Sequence, residues 1–346
     1  MSVAAPIAID GVGMITSLGV DAAQTTGSLR SRLQRFAELA FVDDAGDECT
    51  IITADRQPLV AGAVAIPFSE ARGPERILVM GGLALAEAAR TKANEAAPLV
   101  LCVPEPPVVS LPFSDLARSV AERADVKIDF ESSKAFAEGR ASLAPAIIYV
   151  RKLFASGKVS HCYLGATDSL LLESRIYKLM DARRINFSAN PNGFVPGEGA
   201  AFLRLSPKGN AQSLALIRGV GWAKESDTGK PSIGTAASTA IRLALADAGI
   251  TAANLGLLVH DIAGERQLFK EWSLAIARMR VPPAHTLDEW SPALYLGEIG
   301  AAIGPVSVGA LAFLMGKGIF CESGAMHLDF GDAGGRSAVI LSRARR

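Results

Sequence analysis

The side chains that most often perform covalent or metal chemistry are few and widely spaced in this chain. It holds four cysteines and four histidines in 346 residues. The cysteines are Cys49, Cys102, Cys162 and Cys321, and none of them forms the CxxC spacing of a redox pair or a zinc ligand pair. Cys102 and Cys162 lie in apolar runs, which favours buried hydrophobic side chains over reactive thiolates. The sequence therefore predicts no metal site and no cofactor.

One carboxylate, Glu198, lies in a glycine-rich segment at residues 192–203, with the sequence NGFVPGEGAAFL. Gly197 and Gly199 allow positive φ angles or a close backbone approach, and Pro196 fixes φ in the turn. The apolar residues that follow predict a buried strand. We expect the Glu198 carboxylate to accept hydrogen bonds from backbone N–H groups of this loop, and not to act as a base.

Strand-like and helix-like segments alternate along the chain, which predicts layers of α-helices and β-strands. Apolar residues at helical spacing predict a helix over residues 74–92, and an aspartate cap predicts another over residues 21–40. The sequence GVG occurs at 11–13 and again at 219–221, each time at the end of a strand-like run. This repetition indicates a weak internal repeat of about 200 residues, with a boundary in the turn-rich segment 207–210.

The balance of charge excludes several functional classes. Lys and Arg together number 35, and so do Asp and Glu, so the formal net charge is zero. This balance predicts neither nucleic-acid binding nor a polybasic membrane patch. No long uninterrupted apolar stretch and no signal peptide is visible, so we expect no membrane span and a cytoplasmic protein.

Five segments, taken in order, resemble the β-ketoacyl synthase branch of the thiolase-fold condensing enzymes. The resemblance covers nearly the whole chain, and the segment at 194–200 matches the pattern of that family almost residue for residue. The segments are 9–19 (IDGVGMITSLG), 164–169 (LGATDS), 194–200 (FVPGEGA), 297–304 (GEIGAAIG) and 330–335 (FGDAGG). The resemblance implies a five-layer α-β-α-β-α fold built from two similar halves, residues 1–206 and 211–346, that form one compact unit.

The family's catalytic groups have been replaced at most of the matching positions. The nucleophilic cysteine corresponds to Arg140, with Ser142 the only hydroxyl nearby, and the first histidine corresponds to His260. The family's lysine corresponds to Ala293 and its second histidine to Glu298. A guanidinium cannot be acylated, and a carboxylate repels an oxyanion where an imidazole would stabilise it. We expect Ser142 to cap the following helix, and His260 to be a hydrogen-bonded remnant.

If the fold is that of the family, Arg140, His260 and Glu298 surround one pocket. An arginine and a glutamate in a buried pocket predict a satisfied ion pair. Alternatively, Arg140 recognises an anionic group such as a carboxylate or a phosphate.

These replacements favour a catalytically inactive β-ketoacyl synthase-like protein that acts in binding or scaffolding, most simply as a homodimer or as a heterodimer with a relative. One alternative is an acyltransferase or a chain-length-factor-like subunit of fatty-acid or polyketide synthesis, with an acyl carrier protein as its partner. Another is an accessory protein for a bacterial secreted effector, with the effector protein as its partner.

Overall fold

The computed structural model describes residues 5–42, 48–66, 71–90, 95–106, 112–226, 231–279, 281–282, 285–319 and 323–344. These residues form the predicted mixed α/β fold around one ten-stranded sheet. The strands are β1 (Ile7–Thr16), β2 (Ala37–Glu38), β3 (Ala40–Val42), β4 (Glu48–Thr50), β5 (Val60–Ala61), β6 (Leu99–Cys102), β7 (Lys134–Phe136), β8 (Cys162–Ser169), β9 (Glu198–Ser206), β10 (Ala215–Lys224), β11 (Leu255–His260), β12 (Asp288–Trp290), β13 (Gly324–Phe330) and β14 (Gly335–Arg343). The helices are α1 (Ala22–Arg30), α2 (Pro74–Ala89), α3 (Phe113–Ala124), α4 (Leu143–Ala155), α5 (Glu173–Asp181), α6 (Thr235–Ala248), α7 (Arg266–Ala277), α8 (Ala293–Leu296) and α9 (Ile303–Gly316).

The sheet consists of two halves with the same strand order. Its full order is β12-β11-β13-β14-β10-β1-β9-β8-β6-β7. In the first half β6 pairs parallel with β7 and β8, and β8, β9 and β1 then pair antiparallel. The second half repeats each pairing with β11, β12, β13, β14 and β10. The two halves meet where β1 pairs antiparallel with β10, which confirms the fold of two similar halves.

Three apolar clusters lie in the spaces between five layers. The central cluster holds α4 and α9 between the two half-sheets. A second cluster packs α2 and α3 on the outer face of the first half-sheet, and a third packs α6 and α7 on the outer face of the second. Because α4 and α9 are covered on both sides, the ends of these helices can hold side chains away from water.

The repeated GVG sequence lets a helix backbone lie directly on each half-sheet. A Cβ atom on Gly13 would lie 2.0 Å from the carbonyl oxygen of Ala84 in α2, and one on Gly221 would lie 1.9 Å from that of Ala240 in α6. Both distances are far below van der Waals contact. The two motifs therefore perform the same packing task in the two halves.

The first predicted helix is much shorter in the structure. The expected span of 21–40 ends at Arg30, and Arg32 takes a left-handed φ of 55°. Gln24, Thr25, Thr26 and Gly27 include several weak helix formers, so this helix depends on packing for its length. The helix predicted over 74–92 is observed as α2, and residues 91–94 lie outside the described ranges. No helix in the described part of the chain is long and apolar enough to cross a membrane.

We predict that Gly13→Ala destabilises the protein by about 1–3 kcal/mol, because the added methyl group overpacks the contact between β1 and α2. Gly27→Ala is the matched control, since a Cβ atom on Gly27 meets nothing within 4 Å. At that exposed position of α1, alanine should leave stability unchanged or raise it by up to about 1 kcal/mol. Urea unfolding of both variants measures the difference. Equal stabilities for the two would contradict the packing role of Gly13.

Candidate active site

Arg140 lies in a short 3-10 turn, Gly139–Ser142, that leads directly into α4. The turn is fixed by the hydroxyl of Ser142, which donates to the carbonyl of Phe136 at 2.8 Å and accepts from the N–H of Glu138 at 3.0 Å. Ser142 occupies the N-cap position of α4, but its hydroxyl makes no cap hydrogen bond. The expected capping role is therefore wrong: the hydroxyl is used to hold the turn that carries Arg140.

The glycine-rich segment at residues 192–203 holds Glu298 in place. Its backbone N–H donates to the carbonyl of Val195, and its carbonyl accepts from the N–H of Gly197, both at 2.8 Å. Gly297 precedes it with a φ of 79°, and a Cβ atom there would lie 2.6 Å from the Val195 oxygen. The loop thus sets the position of the Glu298 side chain relative to Arg140.

The guanidinium of Arg140 is buried among carboxylates from three segments of the chain. Its Nη1 lies 2.9 Å from Oε2 of Glu298 and 3.6 Å from Oδ2 of Asp261, and its Nη2 lies 2.8 Å from Oδ1 of Asp332. Arg140 is 5% exposed, Glu298 3% and Asp261 0%. The predicted Arg140–Glu298 pair is present, with two further carboxylates beside it.

Burial and charge act in opposite directions on the ionisation of this cluster. Burial raises the pKa of Glu298 to about 8, although Arg140 acts to lower it. Burial likewise raises the pKa of Asp261 to about 6, again against the attraction of Arg140. Desolvation opposes the charge on Arg140 itself, but Glu298, Asp261 and Asp332 together raise its pKa well above the ordinary value. The guanidinium therefore stays charged while two of its carboxylates hold protons readily.

A second arginine, Arg184, shares one of these carboxylates. Its Nη1 lies 2.7 Å from Oδ2 of Asp332, and its Nη2 lies 3.0 Å from Oδ1. Two further hydrogen bonds of 2.8 Å join Arg184 to both oxygens of Glu265. Partial desolvation opposes ionisation of Asp332, but Arg140 and Arg184 hold its pKa well below the usual range.

A cavity of about 210 Å³ opens beside these groups. Its described lining contains no cysteine, serine, threonine or histidine. Cys102 and Cys162 are buried elsewhere, where desolvation raises the pKa of each thiol, and Cys321 lies outside the described residues. The residues that line the cavity are Pro104, Glu105, Gly139, Arg140, Asp168, Leu170, Arg175, Lys178, Leu179, Arg184, Phe194, Glu298, Gly300, Ala301 and Asp332.

His260 does not join Arg140 and Glu298, contrary to the expectation that all three converge. Successive residues of a strand point to opposite faces, so Asp261 contacts Arg140 while His260 points to the outer layer. There its Nε2 lies 3.0 Å from Glu289, and its ring centroid lies 4.7 Å from that of Trp272. Burial lowers the pKa of His260, with Glu289 acting against this.

Ala293, the first residue of α8, occupies the position that the resemblance assigned to a lysine. Its methyl group is 1% exposed and belongs to the central apolar cluster. It is absent from the cavity lining and contributes no charge to the site.

Glu198 has a structural role, with partners other than those expected. It accepts from the backbone N–H of Val64 at 2.9 Å and from the hydroxyl of Ser169 at 2.9 Å, and it forms an ion pair with Arg76. The Val64 amide belongs to another segment, so the loop's own N–H groups are not the donors as predicted. Glu198 ties β9 to two distant parts of the chain.

Asp261, Asp332 and Arg184 were not identified from the sequence. Two of them lie just past the end of a strand. Asp261 comes immediately after β11, and Asp332 comes two residues after β13. Charged residues at the ends of parallel strands meet at one edge of a sheet, and this signal could have found them. Arg184 follows α5 with no comparable pattern around it.

No protein-family model matches the sequence, and neither does any curated protein. Solved structures do match, over almost the whole chain. The ketosynthase of module 6 of the bacillaene synthase from Bacillus subtilis 168 is 16% identical with a TM-score of 0.75, over 99% of this chain and 72% of the other. The fold is that of the ketosynthases.

Two-protein complexes occur among these structural neighbours. One chain in the structure of the ketosynthase ApeO from Xenorhabdus doucetiae with its chain length factor ApeC is 16% identical with a TM-score of 0.70, over 98% of both chains. One chain in the AntDE:AntF structure, a type II polyketide acyl-carrier protein in complex with its ketosynthase, is 15% identical with a TM-score of 0.78, over 99% of this chain and all of the other.

The raised pKa of Glu298 predicts a pH dependence of stability. The folded protein keeps a proton on Glu298 that the unfolded chain loses near pH 4, so this group's stabilisation is lost as the pH rises towards about 8. Glu298→Gln lacks this titration. Its free energy of unfolding should therefore rise relative to the natural protein between about pH 5 and 8, by up to about 1.4 kcal/mol per pH unit.

Chemical unfolding across that pH range measures the effect, and Glu95→Gln, at an exposed carboxyl, provides the control. A difference between Glu298→Gln and the natural protein that stays constant with pH would contradict the assignment.

Proposed function

We propose that this chain is a ketosynthase-like protein that does not condense acyl groups and acts instead as a binding or partner protein. One observation carries the proposal. The described lining of the cavity has no thiol, hydroxyl or imidazole, and an arginine occupies the turn before α4 where the resemblance places the nucleophile.

Acyl condensation needs a nucleophile at this position and donors for a developing oxyanion. The Nη atoms of Arg140 are engaged by Glu298 and Asp332, and the guanidinium has no electron pair to form an acyl bond. The hydroxyl nearest to Arg140 in sequence, that of Ser142, is fully buried, and its hydrogen bonds to Phe136 and Glu138 are already made. Both considerations favour a role without covalent catalysis.

A second candidate is a partner subunit of an active ketosynthase, comparable to a chain length factor. The complex of ApeO with ApeC favours it, since one chain of that complex shares the fold of this one. Strand β7 ends the sheet on the side next to Arg140 and offers an unpaired edge among the described strands. Light scattering distinguishes a homodimer, at twice the 36.1 kDa chain mass, from a single chain that needs a different partner.

The test of the main proposal is covalent acylation. The purified protein is incubated with acyl-CoA and acyl-carrier-protein donors, and its intact mass is measured beside an active ketosynthase treated identically. We expect no stoichiometric acyl adduct on this chain and a full adduct on the active enzyme, because the cavity supplies no nucleophile. An adduct mapped to Ser142 or to any cysteine of this chain would overturn the proposal.

A further inference from the structure

Two arginines from different parts of the chain point their donors at one carboxylate. Arg140 precedes α4 and Arg184 follows α5, yet both contact Asp332, through three N–O distances of 2.7–3.0 Å. The Asp332 side chain is 49% exposed, while those of Arg140 and Arg184 are 6% and 26% exposed. Arg140 is thus buried and Arg184 half-buried, while the carboxylate is the most accessible member of the cluster.

We propose that Arg140 and Arg184 form a binding site for a ligand carboxylate or phosphate group, and that Asp332 occupies this site in the ligand-free chain. The inference rests on the proposed binding role and names the ligand class of the same cavity. The ligand's oxygens take the positions of the two Asp332 oxygens, and the Asp332 side chain turns to solvent.

The two guanidinium groups are held in place without Asp332. Glu298 holds Arg140 through Nη1, which leaves Nη2 directed at Asp332. Glu265 holds Arg184 through Nε and Nη2, so the guanidinium keeps its orientation when Asp332 leaves. A site whose donors are already oriented loses little conformational entropy when a ligand binds. Planar guanidinium groups suit carboxylate and phosphate oxygens in this geometry.

Asp332 lies on a tight glycine turn that can release it without disturbing the sheet. The turn between β13 and β14 is closed by a hydrogen bond of 2.9 Å from the N–H of Gly331 to the carbonyl of Gly335, and Gly334 takes a φ of 85°. None of these backbone bonds depends on the Asp332 side chain. Its carboxylate can therefore leave the arginines while the backbone of the turn remains in place.

Turning Asp332 away removes one negative charge from beside the two arginines. Four cations line the cavity, Arg140, Arg175, Lys178 and Arg184. The carboxylates that remain are Glu105, Asp168 and Glu298 in the lining, with Asp261 beside Arg140 and Glu265 beside Arg184. Lys178 forms no ion pair with any residue that the structure describes, so its ammonium group is available to a ligand. The volume of about 210 Å³ admits a phosphate group or a short dicarboxylate.

Calorimetric titration of the full chain at low salt tests the site, with inorganic phosphate and malonate as separate probes. Asp332→Asn keeps the size of the side chain and removes its competing charge. We expect this variant to bind a probe at least about tenfold more tightly than the natural chain, a change equal to 1.4 kcal/mol. A gain for phosphate alone identifies a phosphate-bearing ligand, and a gain for malonate alone identifies a carboxylate.

The controls separate this site from general anion attraction. Glu75→Gln removes an arginine-paired carboxylate outside the cavity, whose oxygen lies 3.3 Å from Arg123, and should bind like the natural chain. Adding Arg184→Gln to Asp332→Asn should abolish the gain. In the natural chain, Lys178→Gln should weaken phosphate or malonate binding several-fold, which keeps the test valid if the Asp332 variant does not fold.

No gain in Asp332→Asn for either probe, or an equal gain in Glu75→Gln, would overturn the anion site. Should the Asp332 variant not fold, unchanged binding in Lys178→Gln would overturn it. These results would not affect the proposed non-condensing role, because only the acylation experiment tests that role.

Discussion

The buried charge of Arg140 is the constraint on which the arrangement of the site depends. A guanidinium that is 5% exposed is costly to remove from water unless carboxylates compensate its charge at close range. Glu298, Asp261 and Asp332 meet this need, and they come from three segments that are far apart in sequence. The segment at 297–304, the end of β11 and the turn after β13 must therefore meet above the N-terminus of α4. Because these segments meet there, the walls of the cavity carry both positively and negatively charged side chains.

The scaffold that permits this convergence is the duplicated sheet. Close packing of α2 on β1 at Gly13 and of α6 on β10 at Gly221 fixes the two halves in the same way, and α4 and α9 fill the space between them. Structures of this kind elsewhere include ketosynthases solved with a chain length factor or an acyl-carrier protein. In this chain the same framework surrounds an ion-pair cluster, which is why we favour binding over condensation.

Much of the fold and part of the site could be predicted from the sequence. The glycine motifs at 11–13, 194–200 and 297–304 carried the resemblance to the β-ketoacyl synthases, and that resemblance implied both the fold and the pairing of Arg140 with Glu298. The direction of the His260 side chain could not be predicted, because it depends on which face of β11 each residue occupies. A shift by one residue reverses that direction. Asp332 and Arg184 meet only through the tertiary arrangement, and no local pattern marks such a contact.

Arg140 and Glu298 stabilise each other as one buried unit. A double-mutant cycle with Arg140→Met, Glu298→Gln and both together, unfolded at about pH 9 where Glu298 is ionised, measures this directly. We predict that Arg140→Met alone costs about 3–5 kcal/mol, because the buried Glu298 must then either stay charged without a partner or take up a proton at a pH where the unfolded chain is ionised. Adding Glu298→Gln should recover about 1–3 kcal/mol of that loss. Effects of the two substitutions that simply add, within about 0.5 kcal/mol, would contradict the account.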